Sequence, residues 1–434
     1  MLHIGIDDTD SLGGGCTTWL ITEIISELSE LDLVDFPRLV RLNPNVPWKT
    51  RGNGALSLVF GKGIGSKEKI GEIGNKDIFM FSNYKELSFN KESILAKVSK
   101  IVKKNSKKDS QPGIVISDSY LPEGLYWQGV RGLVSQKDVD LILSDCLTFG
   151  LRGSRGLVGA ACALSWSSNS YNSKELKSTW ELIGYRDKKL WGSSRNISSD
   201  SVSRVSQLKG VFSCSDLDGK IAMVPNSPCP VLWGFRGTDR NTLIDNFHHL
   251  GPEKPVRWLL YQTNQATDDH FNFTESLDLV DYTSIWTDVS ISSKVKIIKG
   301  GHRFIKVKDA QDNEVNCAIF EPLKSLRNIV DKLEIGDEVT ICGSVSGGTI
   351  NIEKFKILSL VPRFTKPPNP TCSCGKRTHS SGKNSKYRCN DCGKKYDRPP
   401  MTPKSPELDL GWFEPPASSR RHLTKPINLV RYNH

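Results

Sequence analysis

The chain lacks any long hydrophobic run, since no apolar stretch approaches the ~18 residues that a membrane-spanning helix requires. This absence excludes a transmembrane protein. A secretory leader is not expected either, because residues 1–8 turn acidic before a basic start and a longer apolar stretch could form. The sequence therefore predicts an intracellular, cytoplasmic protein with no membrane partner.

Signatures of several ATP-dependent RNA enzymes are absent as well. The chain has no Lys-x-Asp-Gly tetrad, which a nucleic-acid ligase needs as its nucleophile. It also lacks the His-Ile-Gly-His and Lys-Met-Ser-Lys-Ser motifs of class I synthetases, because residues 3–6 read His-Ile-Gly-Ile. No Lys follows the glycines at 13–15, so this segment is not a Walker phosphate loop.

Acidic residues are scarce only toward the C-terminal end. Residues 361–434 contain 15 Lys and Arg against 5 Asp and Glu, whereas residues 1–360 contain 44 against 43. Almost the whole formal net charge of +11 therefore lies in one segment. Such a segment attracts nucleic acid because each neutralised phosphate releases counterions, although charge alone equally fits a solvated tail.

The 11 cysteines do not indicate a disulfide framework, since their number is odd and no secretory signal is present. Four of them form two knuckles, each followed by Gly, which can place four thiolates around zinc. These predicted ligands are Cys372, Cys374, Cys389 and Cys392. Only one residue separates the first two cysteines, so His379 stays open as a substitute ligand. Because the site is closed, its expected role is structural.

The length of 434 residues predicts two to four domains in a multidomain α+β fold. Strand and helix patterns alternate over residues 1–150, which indicates an α/β unit, and a second α+β unit follows over 151–275. The first unit has expected strands at 2–6, 38–42, 55–60 and 113–117 and helices at 16–30, 91–105 and 136–148. The second has expected strands at 182–186, 231–237 and 256–262 and a helix at 239–250.

Residues 284–360 show a pattern of strands with one interrupting helix. The expected strands are 295–298, 303–307, 314–319, 338–343 and 350–357, with the helix at 325–332. Five strands and one helix are typical of an OB-type barrel, a common nucleic-acid binder, and of other small barrels. A proline-rich linker then leads into the cysteine ribbon and basic tail, residues 366–434.

The segment after the first strand is the most informative for chemistry. Asp7, Asp8 and Asp10 lie at the carboxyl end of a strand, where open α/β sheets place ligands. Crowded carboxylates repel one another unless a cation compensates, which suggests Mg²⁺ held together with substrate phosphates. Gly13, Gly14 and Gly15 free backbone N–H groups to approach an anion, and Thr17 and Thr18 open the next helix. The alternative is a solvated turn that caps this helix.

Three further segments carry candidate binding residues. Lys49 and Arg51 lie in a loop rich in Pro and Gly and suit phosphate or an RNA backbone, although an ordinary exposed loop fits as well. Residues 263–270 are rich in hydrogen-bonding groups and suit a polar or cationic substrate, or a linker. Residues 420–426 read as a basic clamp or as an anchored tail.

The chain resembles the archaeal isoleucine-tRNA agmatinylcytidine (agmatidine) synthetase family, TiaS. The resemblance covers essentially the whole chain in order, and its first two motifs, residues 4–18 and 41–55, are long and specific. The matching segments are 4–18, 41–55, 155–160, 229–237, 263–265, 300–302, 321–322 and 420–423, together with the cysteine ribbon. The family usually has Cys-Pro-x-Cys-Gly where this chain has Cys372-Ser373-Cys374-Gly375.

The resemblance implies a reaction. The family attaches the amine of agmatine to C2 of the wobble cytidine of an isoleucine tRNA, so that its CAU anticodon reads AUA. An N-terminal kinase-like domain cleaves ATP to AMP and pyrophosphate and phosphorylates the cytidine C2 oxygen, and agmatine then displaces phosphate. A ferredoxin-like domain helps to hold agmatine, while an OB fold and a zinc ribbon grip the tRNA.

The residue pattern and the resemblance together give a hypothesis for residue roles, in which the phosphorylation of Thr18 is what the resemblance implies. Asp7, Asp8 and Asp10 would hold Mg²⁺, and Thr18 would be autophosphorylated. The phosphates would be lined by Gly13, Gly14, Gly15 and Thr17 and contacted, like the flipped cytidine, by Lys49 and Arg51. Asp268 and Asp269 are candidates for the agmatine guanidinium. No obligate protein partner is expected.

Two other functions compete with this hypothesis. One is a different ATP-dependent RNA enzyme, which adenylylates its substrate. The other is a non-catalytic tRNA-binding protein built from the barrel and the ribbon. The second leaves residues 1–270 unexplained and predicts no ATP hydrolysis.

Overall fold

The protein is described by a computed structural model that covers residues 1–50, 52–167, 178–216, 218–380, 382 and 385–430. The candidate Arg51 lies outside these described residues. Within them, no helix combines the length and the apolar character needed to cross a bilayer.

The first region alternates strands and helices, as its apolar patterns predict. Its elements are β1 Leu2–Asp7, α1 Thr17–Glu27, β2 Asp32–Leu33, β3 Arg38–Arg41, β4 Gly54–Ile73, β5 Lys76–Lys85, α2 Lys91–Asn105, β6 Gly113–Ser117, α3 Glu123–Arg131, α4 Gln136–Asp140 and β7 Leu147–Gly150. The helix expected at 136–148 is wrong over its second half, where a 3₁₀ turn, Ile142–Asp145, leads into β7. Leu147 and Phe149 extend there because they pair with β6 at the edge of the sheet.

The second region has mixed elements. They are α5 Gly156–Ser165, β8 Thr179–Tyr185, α6 Ser199–Ser206, β9 Val211–Phe212, β10 Val231–Gly237, α7 Arg240–Asn246, β11 Arg257–Thr263 and β12 Phe271–Phe273, with 3₁₀ turns at Lys188–Leu190 and Phe247–His249. The helix expected at 239–250 therefore ends early, because its last turn tightens into the 3₁₀ geometry that is common at helix ends.

One 11-stranded sheet joins these two regions, with the order β7-β6-β1-β4-β3-β11-β8-β10-β9 and with β2 and β5 beside β4. β11 pairs parallel to β3, with Gln262 opposite Arg38, and antiparallel to β4. One cluster of buried apolar side chains extends across both regions, from Ile4 and Ile6 to Leu259 and Leu260. The two regions therefore share one continuous framework.

Close packing of α5 on β1 positions the candidate site. A Cβ on Gly5 would lie 2.4 Å from the carbonyl oxygen of Ala160, and one on Gly113 would lie 2.1 Å from the nitrogen of Leu157. Only glycine allows the helix to approach the sheet this closely. The start of α5 is thereby held against Asp7, the last residue of β1.

The barrel region closes through five strands. Its elements are β13 Ser284–Ile291, β14 Lys296–Ile297, β15 Arg303–Lys308, β16 Glu314–Ile319, α8 Ser325–Val330, β17 Glu338–Ser346 and β18 Thr349–Ser359, with a 3₁₀ turn at Glu321–Leu323. The strands pair in the closed circuit β13-β17-β18-β16-β15-β13.

The first barrel strand is not the expected 295–298. That segment forms the two-residue β14, which pairs only with β15 among the described residues. β13 takes its place in the barrel, and its burial alternates along the strand. The buried Ile285, Thr287, Val289 and Ile291 alternate with the less buried Trp286, Asp288 and Ser290, and this is the period-2 signal that predicts such a strand.

Short strands make up the ribbon and the segment after it. They are β19 Arg363–Thr365, β20 His379–Ser380, β21 Tyr387–Arg388, β22 Lys395–Tyr396, β23 Thr402–Lys404 and β24 Gly411–Phe413, followed by a 3₁₀ turn at Ala417–Ser419 and by α9 Ile427–Val430. β20, β21 and β22 form a three-stranded sheet, β19 pairs with β23, and β24 pairs with β18 of the barrel.

Residues 411–430, here called the C-terminal strap, pack against the first region, the second region and the barrel. Ser418 donates from its backbone and its hydroxyl to Asp216, at 2.8 and 2.6 Å. Ala266 donates its backbone N–H to the carbonyl oxygen of His422, and Leu423 is buried beneath α5 and β3. Residues 420–426 are therefore anchored to the rest of the protein, as one of the two interpretations expects, and the basic clamp stays a prediction.

Candidate active site

The acidic loop, which carries Asp7, Asp8 and Asp10, begins where β1 ends. Asp8 has a positive φ of 54°, which directs the chain out of the sheet. Its Oδ2 accepts a hydrogen bond of 3.2 Å from the backbone N–H of Gln111 and lies 3.9 Å from Nε of Arg155. The carboxylate of Asp7 rests on Gly159, where a Cβ would lie 1.8 Å from Oδ2. The segment before β6 and the start of α5 thus hold the first two acids in place.

The electrostatics of this loop fit a cation. Burial, followed by the charge of Asp8, raises the pKa of Asp7 well above its usual value. Burial also raises the pKa of Asp8, against the opposing effects of its hydrogen bond and of Arg155. Asp10 lines the same cavity. Carboxylates that are costly to ionise together are the donor set that a hard divalent cation such as Mg²⁺ stabilises.

The glycine loop, residues 11–15, forms a tight turn next to the acidic loop. Ser11 and Gly14 exchange backbone hydrogen bonds of 2.9 and 3.1 Å, and Gly13 donates 3.1 Å to the hydroxyl of Ser11. Gly14 and Gly15 have φ values of 130° and 79°, which side chains rarely adopt. The turn returns the chain to the start of α1.

Helix α1 begins in the wall of the cavity. Thr17 and Thr18 line the cavity, and the hydroxyl of Thr17 accepts a hydrogen bond of 3.0 Å from that of Thr9. The hydroxyl of Thr18 lies 3.0 Å from the sulfur of Cys16. The carbonyl oxygen of Thr18 accepts a hydrogen bond of 2.9 Å from the hydroxyl of Tyr261. Cys16 makes no side-chain cap to the helix. The first turn of α1 thus carries two hydroxyls and the positive end of a helix dipole.

The second region supplies the opposite wall. Glu181 on β8 accepts 2.9 Å from Arg236 and 2.5 Å from Gln265, and lies 3.6 Å from Arg41. Burial opposes its ionisation, but Arg236 and Arg41 outweigh burial and lower the pKa of Glu181. The result is a buried ionised carboxylate between two guanidinium groups that also face the cavity.

The C-terminal strap completes this wall. A Cβ on Gly52 would lie 3.0 Å from the ring of His422 and 2.8 Å from the guanidinium of Arg41. The strap histidine and the β3 arginine therefore both pack against Gly52. The nearby Arg41, followed by burial, lowers the pKa of His422 well below 6.5, so the imidazole is neutral at pH 7. Lys49 lines the cavity beside Trp48, and burial and Arg421 lower the pKa of Lys49.

A single cavity of about 870 Å³ brings these groups together. Its polar lining combines residues from both regions of the sheet and from the strap. Among them are Asp7, Asp8, Asp10, Thr17, Thr18, Arg41, Lys49, Arg155, Glu181, Arg236 and His422. The predicted acidic, threonine and Lys49 positions therefore converge, whereas Gly13, Gly14 and Gly15 are not among the residues that line the cavity.

Known proteins share this architecture over its whole length. Family models match residues 3–149 (TiaS TCKD domain), 154–270 (TiaS FLD domain) and 369–403 (TiaS C-terminal zinc ribbon domain). An isoleucine-tRNA 2-agmatinylcytidine synthetase, TiaS, from Methanocaldococcus jannaschii is 34% identical, with 99% of both chains covered. The chain belongs to the TiaS family. The resemblance found in the sequence is thus confirmed.

Other TiaS proteins agree with this assignment. The relative from Methanosarcina acetivorans is 33% identical over 99% of this chain and 97% of its own. The crystal structure of a complex of TiaS with its isoleucine tRNA and ATP matches with a TM-score of 0.83 at 29% identity, covering 98% and 96%. A complex of TiaS with the same tRNA, AMPCPP and agmatine matches with a TM-score of 0.79 at 27% identity, covering 98% and 96%.

The zinc ribbon of this TiaS family member has a four-cysteine centre. The sulfur atoms of Cys372, Cys374, Cys389 and Cys392 all lie within 4.8 Å of one another. Cys372 lies 3.3 Å from Cys392, and Cys374 lies 3.5 Å from Cys389, which suits the sulfur separations of a tetrahedral zinc site. His379 lies on β20 and is not part of the group, so the short first knuckle does not need a substitute ligand.

Asp268 and Asp269 do not line the TiaS cavity. Asp268 accepts 2.5 Å from the buried Lys354 and 2.7 Å from the backbone of Lys425. Asp269 accepts 2.5 Å from Tyr126, and burial raises its pKa. Both carboxylates therefore join the second region to the barrel, the strap and α3, and neither is placed to receive a guanidinium in the cavity.

Several cavity residues were missed by the sequence reasoning. Arg41, Arg155, Arg236 and His422 belong to the segments that carry the TiaS resemblance, so a signal for them existed. Glu181 lies outside those segments and had no signal of its own.

Proposed function

We propose that this chain is an ATP-dependent tRNA-cytidine agmatinyl ligase. Its substrates would be agmatine and the wobble cytidine of an isoleucine tRNA with a CAU anticodon, which would then read AUA. The observation that carries this proposal is the cavity in which three carboxylates and a threonine pair face two arginines. Relatives of the same architecture carry this activity in their names and have been solved with tRNA, an ATP analogue and agmatine.

In this proposal the acidic loop prepares ATP. Asp7, Asp8 and Asp10 would hold Mg²⁺, which neutralises charge on a transferring phosphoryl group when it is bound. Gly13, Gly14, Gly15 and Thr17 would line the phosphates beside the start of α1. Thr18 would be phosphorylated, and its carbonyl bond to Tyr261 holds its backbone in place.

The chemistry explains why phosphorylation is needed. A carbonyl oxygen on C2 of cytidine is a poor leaving group, whereas the phosphorylated oxygen is a good one. The C2 oxygen would take the γ-phosphoryl group of one ATP, which leaves ADP, and a further ATP would be cleaved by water to AMP and pyrophosphate. The primary amine of agmatine would then attack C2 and displace phosphate.

The opposite wall would hold the cytidine nucleotide. Chemistry on C2 requires the base to leave its stack and enter the cavity. Arg41 and Arg236 are held by Glu181 and present fixed donors to a base edge or a phosphate. Lys49 would contact phosphate or the flipped base, and Arg51 retains the same proposed role from its sequence position alone.

The remaining regions would bind the tRNA body. Residues 1–150 would act as the kinase-like domain and 151–275 as a ferredoxin-like domain that helps to hold agmatine. The barrel, residues 284–360, would serve as an OB fold, and zinc on the four cysteines would stiffen the ribbon and tail, residues 366–434. Removing the zinc would therefore weaken tRNA binding more than ATP binding.

The test is one incubation of the purified protein with the isoleucine tRNA transcript, labelled ATP, Mg²⁺ and agmatine. The proposal expects AMP and pyrophosphate together with a tRNA mass gain from agmatine. Transfer of AMP to RNA or protein without agmatine would indicate the adenylylating enzyme instead. Tight tRNA binding without nucleotide turnover would leave only a binding protein.

A further inference from the structure

The glycine loop has no lysine in its sequence, but the fold brings one to it. Lys107 lies in the turn after α2 and is exposed. Its Cε lies 3.4 Å from the point where a side chain on Gly15 would begin, and 3.7 Å from the same point on Gly14. Its Nζ lies 3.9 Å from that point on Gly14. The lysine side chain therefore extends along the two glycines.

The backbone of Lys107 is fixed to the acidic loop. Its N–H donates 3.3 Å to the carbonyl oxygen of Thr9, between Asp8 and Asp10. Arg152 donates 2.8 Å to the carbonyl oxygen of Lys107 and a further 2.8 Å to that of Ser110. Ser110 closes the turn by donating its N–H and its hydroxyl to the carbonyl oxygen of Lys107, at 3.2 and 2.8 Å. None of these bonds uses the lysine ammonium, so they survive its removal.

Charge explains what this lysine would do. The acidic loop already carries three carboxylates, and a triphosphate beside it adds further negative charge. A phosphate loop commonly meets this demand with an ammonium group that follows its glycines, in addition to a metal ion. Lys107 places the same group beside Gly14 and Gly15 from a position more than ninety residues later.

We propose that Lys107 is the phosphate-binding cation of the glycine loop and contacts the triphosphate of ATP through its ammonium group. The inference rests on the proposed ATP site and adds a residue to it. A basic patch that binds RNA is the competing interpretation, because Lys103, Lys104 and Lys108 lie nearby. Lys103 instead stacks on Phe149 at 4.9 Å, and neither Lys104 nor Lys108 is among the atoms nearest to the glycines.

The experiment compares Lys107→Ala and Lys107→Arg with the matched control Lys104→Ala, a lysine in the last turn of the same helix. KM and kcat for ATP are measured at saturating tRNA and agmatine, and the Kd values for a non-hydrolysable ATP analogue with Mg²⁺ and for tRNA are measured separately. Lys107→Ala is expected to raise KM and Kd for the nucleotide about ten-fold or more, the loss of one charge-assisted hydrogen bond. Lys107→Arg should recover part of this loss, and Lys104→Ala should match the wild type.

Two results would overturn the assignment. An unchanged nucleotide Kd in Lys107→Ala would exclude a triphosphate contact, and a weakened tRNA Kd in that variant would identify an RNA-binding lysine instead. Urea unfolding of each variant separates a binding defect from a folding defect. If the wild type bound the nucleotide but did not modify tRNA, the proposed function would fail while the Lys107 contact was still tested by the nucleotide Kd.

Discussion

Arg421 donates a hydrogen bond of 2.9 Å to the carbonyl oxygen of Pro44, which lies 377 positions earlier in the chain. The same guanidinium donates 3.0 Å to Ser344 and lies 3.1 Å from Glu353. Burial opposes the ionised form of Glu353, but Arg421 and His270 outweigh burial and lower the pKa of Glu353 to about 2. One side chain of the strap thus connects the cavity loop with the barrel.

Replacing Arg421 should destabilise the whole protein. We expect Arg421→Ala to lower the free energy of unfolding at pH 7 by about 3 kcal/mol, because it leaves a buried carboxylate without its main counter-charge. Urea unfolding measures this loss. Lys306→Ala is the control, since its pair with Glu314 is exposed and worth less than about 1 kcal/mol. Equal losses in the two variants would contradict the proposed anchoring.

Replacing Asp8 should stop ATP cleavage without weakening tRNA binding. Asparagine tolerates the positive φ at this position and can still accept the hydrogen bond from Gln111, so Asp8→Asn removes only the charge. AMP release and the tRNA Kd are the two readouts. Asp118→Asn, on an exposed carboxylate paired with Lys91, should leave both unchanged. Full AMP release by Asp8→Asn would sink the metal-site assignment.

A methyl group on α5 should have a similar effect by displacing Asp7. In Gly159→Ala the new Cβ would lie 1.8 Å from Oδ2 of Asp7, so this carboxylate must move. We expect kcat to fall by about 100-fold, since displacements of the order of 1 Å are that costly in an active site. Gly124→Ala on α3 meets no atom within 4 Å and should remain fully active. Equal kcat values for the two variants would show that the position of Asp7 is not critical.

Loss of one ribbon thiol should release the metal. Cys392→Ser is expected to reduce bound zinc, measured by elemental mass spectrometry, and to weaken tRNA binding. Cys146, half-buried and far from the ribbon in sequence, provides the control substitution Cys146→Ser. Zinc retained in Cys392→Ser at the wild-type level would exclude the four-cysteine centre.

His3 should make the stability of the protein depend on pH. Neither ring nitrogen has a hydrogen-bond partner among the described residues, and burial lowers the pKa of His3 from 6.5 to about 4. When the pH is lowered from 6.5 to 4, His3 is protonated in the unfolded chain but stays neutral in the folded chain. The free energy of unfolding therefore decreases as the pH is lowered, by about 3 kcal/mol in total. His3→Leu should remove this slope in urea titrations at several pH values, and His249→Leu, at an exposed position, should not. An unchanged slope in His3→Leu would assign the effect to other groups.

Local patterns predicted much of the framework. The bounds expected for α2 and β6 are those of the structure. Both elements follow from the local pattern of apolar residues, which spans a few turns in the helix and a few residues in the strand. The hairpin of β4 and β5 was not predicted past Phe60, since its outer half is exposed and mixed in polarity. Its register depends on pairing with β2 and β11, which no local pattern records.

The candidate site was half visible in the sequence. Asp7, Asp8, Asp10 and Thr18 are close together in the chain, so their convergence needed no tertiary information. Glu181 meets Arg41 only because β11 pairs with both β3 and β8. Contacts of this kind depend on strand pairings between distant parts of the chain, so no residue spacing in the sequence predicts them.

The strap is also the last part of the cavity wall to be synthesised. His422 completes a cavity wall whose other polar residues all lie before residue 237, so a ribosome finishes the acidic loop long before it finishes the cavity. We expect nascent and prematurely terminated chains to bury Glu353 without Arg421 and to be inactive on tRNA. Released truncations that end before Gly411 can test this in a translation extract. A cell would then be protected from partial enzymes that alter anticodons, since only a chain translated through the strap could act on them.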